Sequence, residues 1–177
     1  KLKGANVDKI TTITLPSTFT WRCGRNVFED CTSLTAFYMP VPNDCYKVVD
    51  GVLLSHYTGF GDFWELYRYP LAKKGPYVIP SNISQLNWWA FAGCTGLTDI
   101  DFSQCGSLNA VRENAFEGCT GLTHVDFPSN IEYFWKDAFK DCSNLKYITI
   151  SRSFDCWQDN VFTTGCTSLK DLYYEGT

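Results

Sequence analysis

The chain has 177 residues, of which 45% are hydrophobic and 19% charged, and its formal charge is −4. That apolar content suffices for one elongated domain over residues 1–177, which no Pro/Gly/Ser-rich linker or charge run divides. The acidic balance and the lack of a clustered Lys/Arg stripe argue against nucleic acid, and the lack of an apolar run of about 18 residues argues against a membrane span. The opening KLKGANVDK carries no apolar segment, so no signal peptide is expected either.

Reading in chain order, the pattern apolar-x-x-apolar-x-apolar appears first at Ile10/Ile13/Leu15 and then at Leu34/Phe37/Met39, Leu97/Ile100/Phe102, Leu122/Val125/Phe127, Leu145/Ile148/Ile150 and Leu169/Leu172/Tyr174. From the second copy on, each follows an aromatic-Cys-Leu signature: NVFEDCTSL, NWWAFAGCTGL, ENAFEGCTGL, KDAFKDCSNL and DNVFTTGCTSL. Leu97, Leu122, Leu145 and Leu169 are separated by 25, 23 and 24 residues, whereas Leu34 and Leu97 are 63 apart. A repeat of roughly 20–29 residues therefore governs the chain, interrupted once near residues 41–76. One such repeat cannot cover its own apolar face, so the copies must stack.

The period-two alternation within each copy predicts a short strand with one face to a core and one to water, and stacked copies give a parallel sheet. Pro16, Pro40 and Pro128 end three of these strands, and Pro80 ends the degenerate strand Tyr77-Val78-Ile79, since proline cannot donate to a ladder. Counting back from the Ala or Val of the signature reveals a second set of matched core positions. Four residues upstream stand Cys23, Leu86, Val111, Phe134 and Trp157; seven upstream stand Ile83, Leu108, Ile131 and Phe154, with Phe19 one residue out of step. Phe28, Phe91, Phe116, Phe139 and Phe162 are expected to stack as an aromatic spine opposite the sheet.

These residues resemble the BspA-like, or Treponema-type, leucine-rich repeat, whose pattern is close to L-x-x-L-x-L-P, an Ile-rich turn and then A-F-x-x-C. The resemblance covers nearly the whole chain, and the stretch VVDGVLL, SHYTGFGDF, LYRYP and YVIP is similar to the hairpin insert such proteins carry between repeats. It departs where a Gly often precedes the aromatic signature: Asn87, Arg112, Trp135 and Gln158 stand there, and Gly only at Gly24. The resemblance implies an α/β-type repeat solenoid of about six coils. Its right-handed leucine-rich repeat coil would carry a parallel β-sheet on the concave face, short 3-10 or irregular segments on the convex side, and a β-hairpin insert. The chain stops at Thr177, just after Tyr174, with no polar cap, so either a fragment of a longer array, the preferred reading, or an open end that pairs with another chain through unpaired strand groups is expected.

Of nine cysteines, Cys31, Cys94, Cys119, Cys142 and Cys166 share one repeat position and are expected inside as free thiols acting as small hydrophobes. Neighbouring coils about 4.8 Å apart would not by distance alone prevent disulfides. Cys23 falls at a core position and Cys105 reads as an extra inward residue. Cys45 and Cys156 have no repeat equivalents and are the candidates for reactivity or pairing. No C-x-x-C pair occurs, which argues against a zinc ribbon.

Catalytic chemistry finds little to work with. The two histidines are His56, in the insert turn, and His124, which should lie beside Asp99 on the sheet; with no nucleophile at an elbow motif, this reads as a solvated cross-strand pair. The GFG at Gly59–Gly61 reads as turn chemistry rather than a phosphate loop, and the sequon Asn82-Ile83-Ser84 matters only in a eukaryotic secretory setting. Asp99, Asp101 and Asp126 would project from adjacent strands, more simply as a solvated acidic patch than as a Ca²⁺ site. No enzyme activity, cofactor or metal is expected.

Binding has two candidate surfaces. The outward sheet positions form one stripe of Thr12, Ala36, Asp99, His124, Tyr147 and Asp171 and a second of Thr14, Tyr38, Val78, Asp101, Asp126, Thr149 and Tyr173. Tyr38, Asp99, Asp101, His124, Asp126, Tyr147, Thr149 and Tyr173 are the candidate contact residues of this concave face. The insert offers the alternative, with Tyr57, Phe60, Phe63, Trp64 and Tyr67 crowded together as a possible glycan patch, although a hairpin is marginal alone and some of these must pack. The resemblance implies a non-enzymatic module that is extracellular or on the cell surface, adhering to host or neighbouring-cell or matrix proteins. The alternatives are a structural spacer in a large surface protein, or a glycan binder using the insert.

Overall fold

The structure is a computed structural model and describes residues 6–20, 27–59, 61–151, 156–157, 161–162 and 164–175. Apart from a 3-10 turn at Val7–Lys9, its elements are strands: β1 (Thr12–Thr14), β2 (Ala36–Tyr38), β3 (Tyr46–Val49), β4 (Val52–Tyr57), β5 (Phe63–Arg68), β6 (Gly75–Val78), β7 (Ile83–Leu86), β8 (Leu97–Asp101), β9 (Ala110–Val111), β10 (His124–Asp126), β11 (Tyr133–Phe134), β12 (Tyr147–Ser151), β13 (Cys156–Trp157) and β14 (Asp171–Glu175). They wind into a β-solenoid of about six turns with two walls.

The first wall comes from the apolar triplets. Parallel ladders join β1 to β2, β6 to β8, and β10 to β12 to β14. Alternate residues point inward, so Phe37, Tyr77, Ile100, Val125 and Ile148 are buried while Tyr38, Val78, Asp101 and Asp126 are exposed. The outermost copies are less covered. Ile10 and Ile13 are only partly buried, and Leu172 and Tyr174 are 40% and 59% exposed because no described coil lies beyond β14.

The second wall is where the coils differ from the short 3-10 or irregular segments expected. Here β7, β9, β11 and β13 pair in parallel, bringing Leu86, Val111 and Phe134 into register. Coils about 4.8 Å apart let an extended dipeptide pair its N–H and C=O with the coils on either side, which a 3-10 turn would not do. Ile83, Leu108 and Ile131 are fully buried as matched core positions. Cys23, Phe154 and the side chain of Trp157 lie outside the described residues. Two residues with left-handed backbone turn each central coil: Trp89 and Gly93, Asn114 and Gly118, Asp137 and Asp141. Gly, Asn and Asp reach that conformation readily, whereas a bulky Trp does so only under strain.

Between the walls, Phe91, Phe116 and Phe139 stack with ring centroids 5.1 Å apart and planes within 6°, and Phe162 follows at 5.5 Å. The spine differs from expectation at its start. Tyr69, not Phe28, precedes Phe91, at 5.2 Å, while Phe28 packs on Phe37 at 5.0 Å in a separate core.

The insert explains that separation. It is a three-stranded antiparallel meander, β3-β4-β5, whose last strand pairs in parallel with β7, so it extends the second wall instead of projecting as a hairpin. Val52, Leu54, Leu66 and Trp64 join the core of the later coils, while Tyr46, Val48, Leu53 and Tyr67 join the core of the first two. The meander is thus a partition with a core on each face. Its turn at Asp50–Gly51 reaches the first wall, where the Gly51 carbonyl accepts from the Phe37 N–H at 2.8 Å.

Candidate functional site

The outer face of the first wall carries both stripes in the register that the repeat implies. His124 pairs with Tyr147 and Tyr147 with Asp171; Asp126 pairs with Thr149 and Thr149 with Tyr173; Val78 pairs with Asp101. The ladder draws the rings into a column: His124 stacks on Tyr147 at 5.4 Å, and Tyr147 meets Tyr173 edge-on at 5.5 Å. His124 Nε2 lies 3.6 Å from Asp99 Oδ1, and both side chains remain partly open to solvent. This is the cross-strand pair expected from sequence, and Thr123 Oγ1 lies 3.3 Å from the other ring nitrogen, His124 Nδ1.

Beside the column an open cleft of about 600 Å³ is lined by Asp99, Asp101, His124 and Asp126, with Ser103 and Asn130 at the strand ends. No Lys or Arg lines it, so its field is negative. Asp101 Oδ1 accepts the Ser103 N–H at 2.7 Å, and hydrogen bonds from the Ser103 backbone and hydroxyl hold its carboxyl below the usual range. Among the described residues no group of three His, Cys, Asp or Glu side chains could hold a metal ion.

Not every candidate joins this group. Tyr38 is 56% exposed but sits in the β1–β2 ladder, which is not hydrogen-bonded to β6 or β8. Thr149 lies between Asp126 and Tyr173 in the ladder but is only 8% exposed, so it offers a partner little surface. The structure therefore brings together Asp99, Asp101, His124, Asp126, Tyr147 and Tyr173.

The insert aromatics are largely spent on packing. Tyr67 meets Tyr46 edge-on at 5.7 Å, and Tyr57 stacks on Phe63 at 5.1 Å. The Trp64 ring is covered by His56, stacked at 4.8 Å, and by Lys47 Nζ at 3.8 Å; burial lowers the Lys47 pKa. His56 in turn reaches Asp62 Oδ1 at 2.5 Å and the Asp44 carbonyl at 2.8 Å. Phe60 lies outside the described residues. Tyr57, Phe63, Trp64 and Tyr67 are all half-buried.

Sequence reading passed over a different aromatic group, on the second wall. Trp88 and Tyr133 are 40% and 43% exposed there, and Arg112 Cζ lies 4.3 Å from the Trp88 ring and 5.5 Å from that of Trp135. The available signal was the departure from Gly ahead of the signature, since Arg112 and Trp135 occupy that position and Trp88 follows Asn87.

The described cysteines Cys31, Cys45, Cys94, Cys105, Cys119, Cys142 and Cys166 are free thiols. Cys156 lies outside the described side chains. Burial pushes the Cys94 and Cys142 thiols up to about 12 and Cys105 up to about 11, which keeps them protonated and unreactive.

A profile of the BspA type leucine-rich repeat region matches residues 5–50 and 75–177 as six copies. The chain belongs to that family. The unmatched stretch between the two blocks is most of the meander, so the BspA type repeat accounts for the coils and not for the partition. The fold is similar to that of a leucine-rich repeat protein from Eubacterium ventriosum, with a TM-score of 0.73 at 18% identity over 93% of this chain and 42% of that one. It is also similar to a leucine rich cell surface protein from Faecalibacterium prausnitzii (0.59, 25% identity, 95% and 48%) and to the pneumococcal vaccine antigen PcpA (0.61, 23% identity, 95% and 46%). The chain spans about half the length of these solved relatives. No curated protein matches it. No helix among the described residues is long and apolar enough to cross a membrane.

Proposed function

We propose that the chain is a non-enzymatic protein-binding module of a secreted or cell-surface bacterial protein, acting through the outer face of the first wall. The observation that carries this reading is the negative cleft of Asp99, Asp101 and Asp126 flanked by the column His124–Tyr147–Tyr173, across the neighbouring ladders β6–β8 and β10–β12–β14. Carboxylates beside aromatic faces complement a basic segment of a partner, in which Lys or Arg side chains pair with the carboxylates and stack on the rings. The solved relatives that include a cell surface protein and a vaccine antigen support placement outside the cell.

The test is binding of the chain to a panel of extracellular-matrix and cell-surface proteins. The expected result is saturable binding that weakens with salt and is lost in Asp99→Asn/Asp126→Asn and in Tyr147→Ala/Tyr173→Ala. Silence across the panel, or binding indifferent to both double variants, would assign the chain to a spacer role instead.

A further inference from the structure

The second wall presents aromatic side chains to water. Trp88 and Tyr133 are 40% and 43% exposed, and Trp135 is half-buried 6.2 Å from Trp88 at 84° to it. Arg112 stands between the two indoles and cannot swing away. Its Nε donates to Gln85 Oε1 at 2.7 Å and its Nη2 lies 3.4 Å from Glu65 Oε1, on a residue that is only 4% exposed. Gln85 and Tyr133 occupy one row of the sheet, through Ala110, so the planar polar groups and the rings share one surface. Such hydrogen bonds and ring contacts hold the side chains in place before any ligand arrives, which removes the side-chain ordering part of the cost of binding.

Charge and size select the ligand. Buried Glu65 balances Arg112, so the surface attracts neither phosphate nor an acidic peptide by net charge. Trp88, Arg112 and Trp135 follow three successive strands, so the patch is about 10 Å across and covers on the order of 100 Å², against the roughly 800 Å² per partner of a stable protein interface. What remains is a small, neutral, amphipathic molecule. A hexopyranose has an apolar C–H face that lies on an aromatic ring and a hydroxyl edge that takes hydrogen bonds. Arg112 keeps N–H groups beyond those engaged by Gln85 and Glu65, and the Gln85 amide can donate as well. The backbone agrees with a demand on this spot: Trp89 is left-handed at φ 55°, where the next two coils place Asn114 and Asp137, which accept that conformation more readily.

We propose that Trp88, Arg112, Tyr133 and Gln85 form a binding site for neutral hexose-containing oligosaccharides, on the wall opposite the protein-binding face. The insert is the poorer candidate, since His56 and Lys47 both pack on the Trp64 ring and it is half-buried, whereas Trp88 stays 40% exposed beside Arg112.

The intact chain is applied to an array of neutral oligosaccharides ending in glucose, galactose or N-acetylhexosamine, and the hits are titrated by tryptophan fluorescence. Binding should be saturable, unchanged between about 0.05 and 0.5 M salt, and weakened about tenfold or more in both Trp88→Ala and Tyr133→Ala. Arg112→Lys, which keeps the charge facing Glu65 but loses the planar fork, should weaken it as well. Tyr147→Ala, on the other wall, should leave it intact. Thermal midpoints and circular dichroism establish that each variant is folded, and Tyr133→Ala serves alone if Trp88→Ala is not. An empty array, binding that survives both aromatic variants, binding lost in Tyr147→Ala, or binding confined to acidic glycans and abolished by salt would each overturn the proposal.

Discussion

The coils from Ile83 to Ile150 and the meander from Tyr46 to Arg68 hold one stack together by opposite means. In the coils the core contacts repeat from one layer to the next. Phe rings stack at 5.1 Å, and three thiols at the repeat position donate to the carbonyl of the spine Phe on the preceding coil: Cys119 to Phe91 at 3.1 Å, Cys142 to Phe116 at 3.0 Å and Cys166 to Phe139 at 2.8 Å. The cysteine position is therefore a hydrogen-bond donor as well as a small hydrophobe. In the meander no contact repeats. Glu65 and Arg68 are 4% and 3% exposed; Ser55 and Asn87 donate to Glu65, and Arg68 donates to the carbonyls of Trp89 and Ala92. Repeated apolar layers add stability coil by coil, whereas joining two stacks demands a unique register, which buried polar contacts enforce.

The largest effect should come from breaking the copied layers. Phe116 is fully buried between two rings of the spine, so Phe116→Ala opens a cavity shared by three coils and should cost about 3–5 kcal/mol, read as a lower midpoint in thermal or urea unfolding. A loss below about 1 kcal/mol would mean that the coils collapse around the gap and the spine is not the main store of stability. Next is the unique side of the comparison. Arg68→Met keeps volume but removes the donors to Trp89 and Ala92, and should cost about 1.5–3 kcal/mol with a change concentrated in hydrogen exchange of the meander. A neutral Arg68→Met would show that the two cores flanking the meander, not its polar ties, set the register.

The two regions also differ in how far residues alone reveal them. The triplets ending at Leu15, Met39, Phe102, Phe127 and Ile150 and the spine from Phe91 to Phe162 repeat at steps of 23–25 residues, with one break at the insert, so period and inward direction could both be read. Tyr69 could not, because it fills a spine position without the signature around it. Two-residue strands such as Ala110–Val111 and Tyr133–Phe134 are too short for an alternation to register. Non-repeating contacts leave no periodic trace, which hid the partition role of the meander and the grouping of Trp88, Arg112 and Trp135. On the first wall the outward identities of Asp99, Asp101, His124, Asp126, Tyr147 and Tyr173 followed from alternation, but the covering of Thr149 and the separation of Tyr38 depend on how the ladders break.

A smaller effect tests the thiols. Cys119→Ala removes the donor to the Phe91 carbonyl and should cost about 1 kcal/mol, with Cys119→Ser less harmful than its polarity suggests because the hydroxyl restores the bond. The thiols also give stability a pH dependence of definite sign. Cys94 and Cys142 are raised from 9.0 to about 12 by burial, so their protonated form favours the fold. Their contribution is complete below about pH 9 and is lost as pH rises through the folded values, because only the unfolded chain ionises in between. The midpoint should fall from pH 9 upward, and Cys94→Ala/Cys142→Ala should flatten that fall; an unchanged slope would assign the alkaline loss to other groups.

The smallest effect on stability belongs to the displayed column, where it carries the most functional information. Tyr173 is 51% exposed and its neighbour Tyr147 touches it only edge-on at 5.5 Å, so Tyr173→Ala should shift the unfolding free energy by no more than about 0.5 kcal/mol. A residue at that register position in a buried layer would behave like Phe116, and one that merely favours strand would change neither stability nor binding. Loss of partner binding with an unchanged midpoint is the pattern that separates a contact from a scaffold residue. A marked drop in midpoint would instead return Tyr173 to the scaffold, and the face would rest on the carboxylates of the cleft alone.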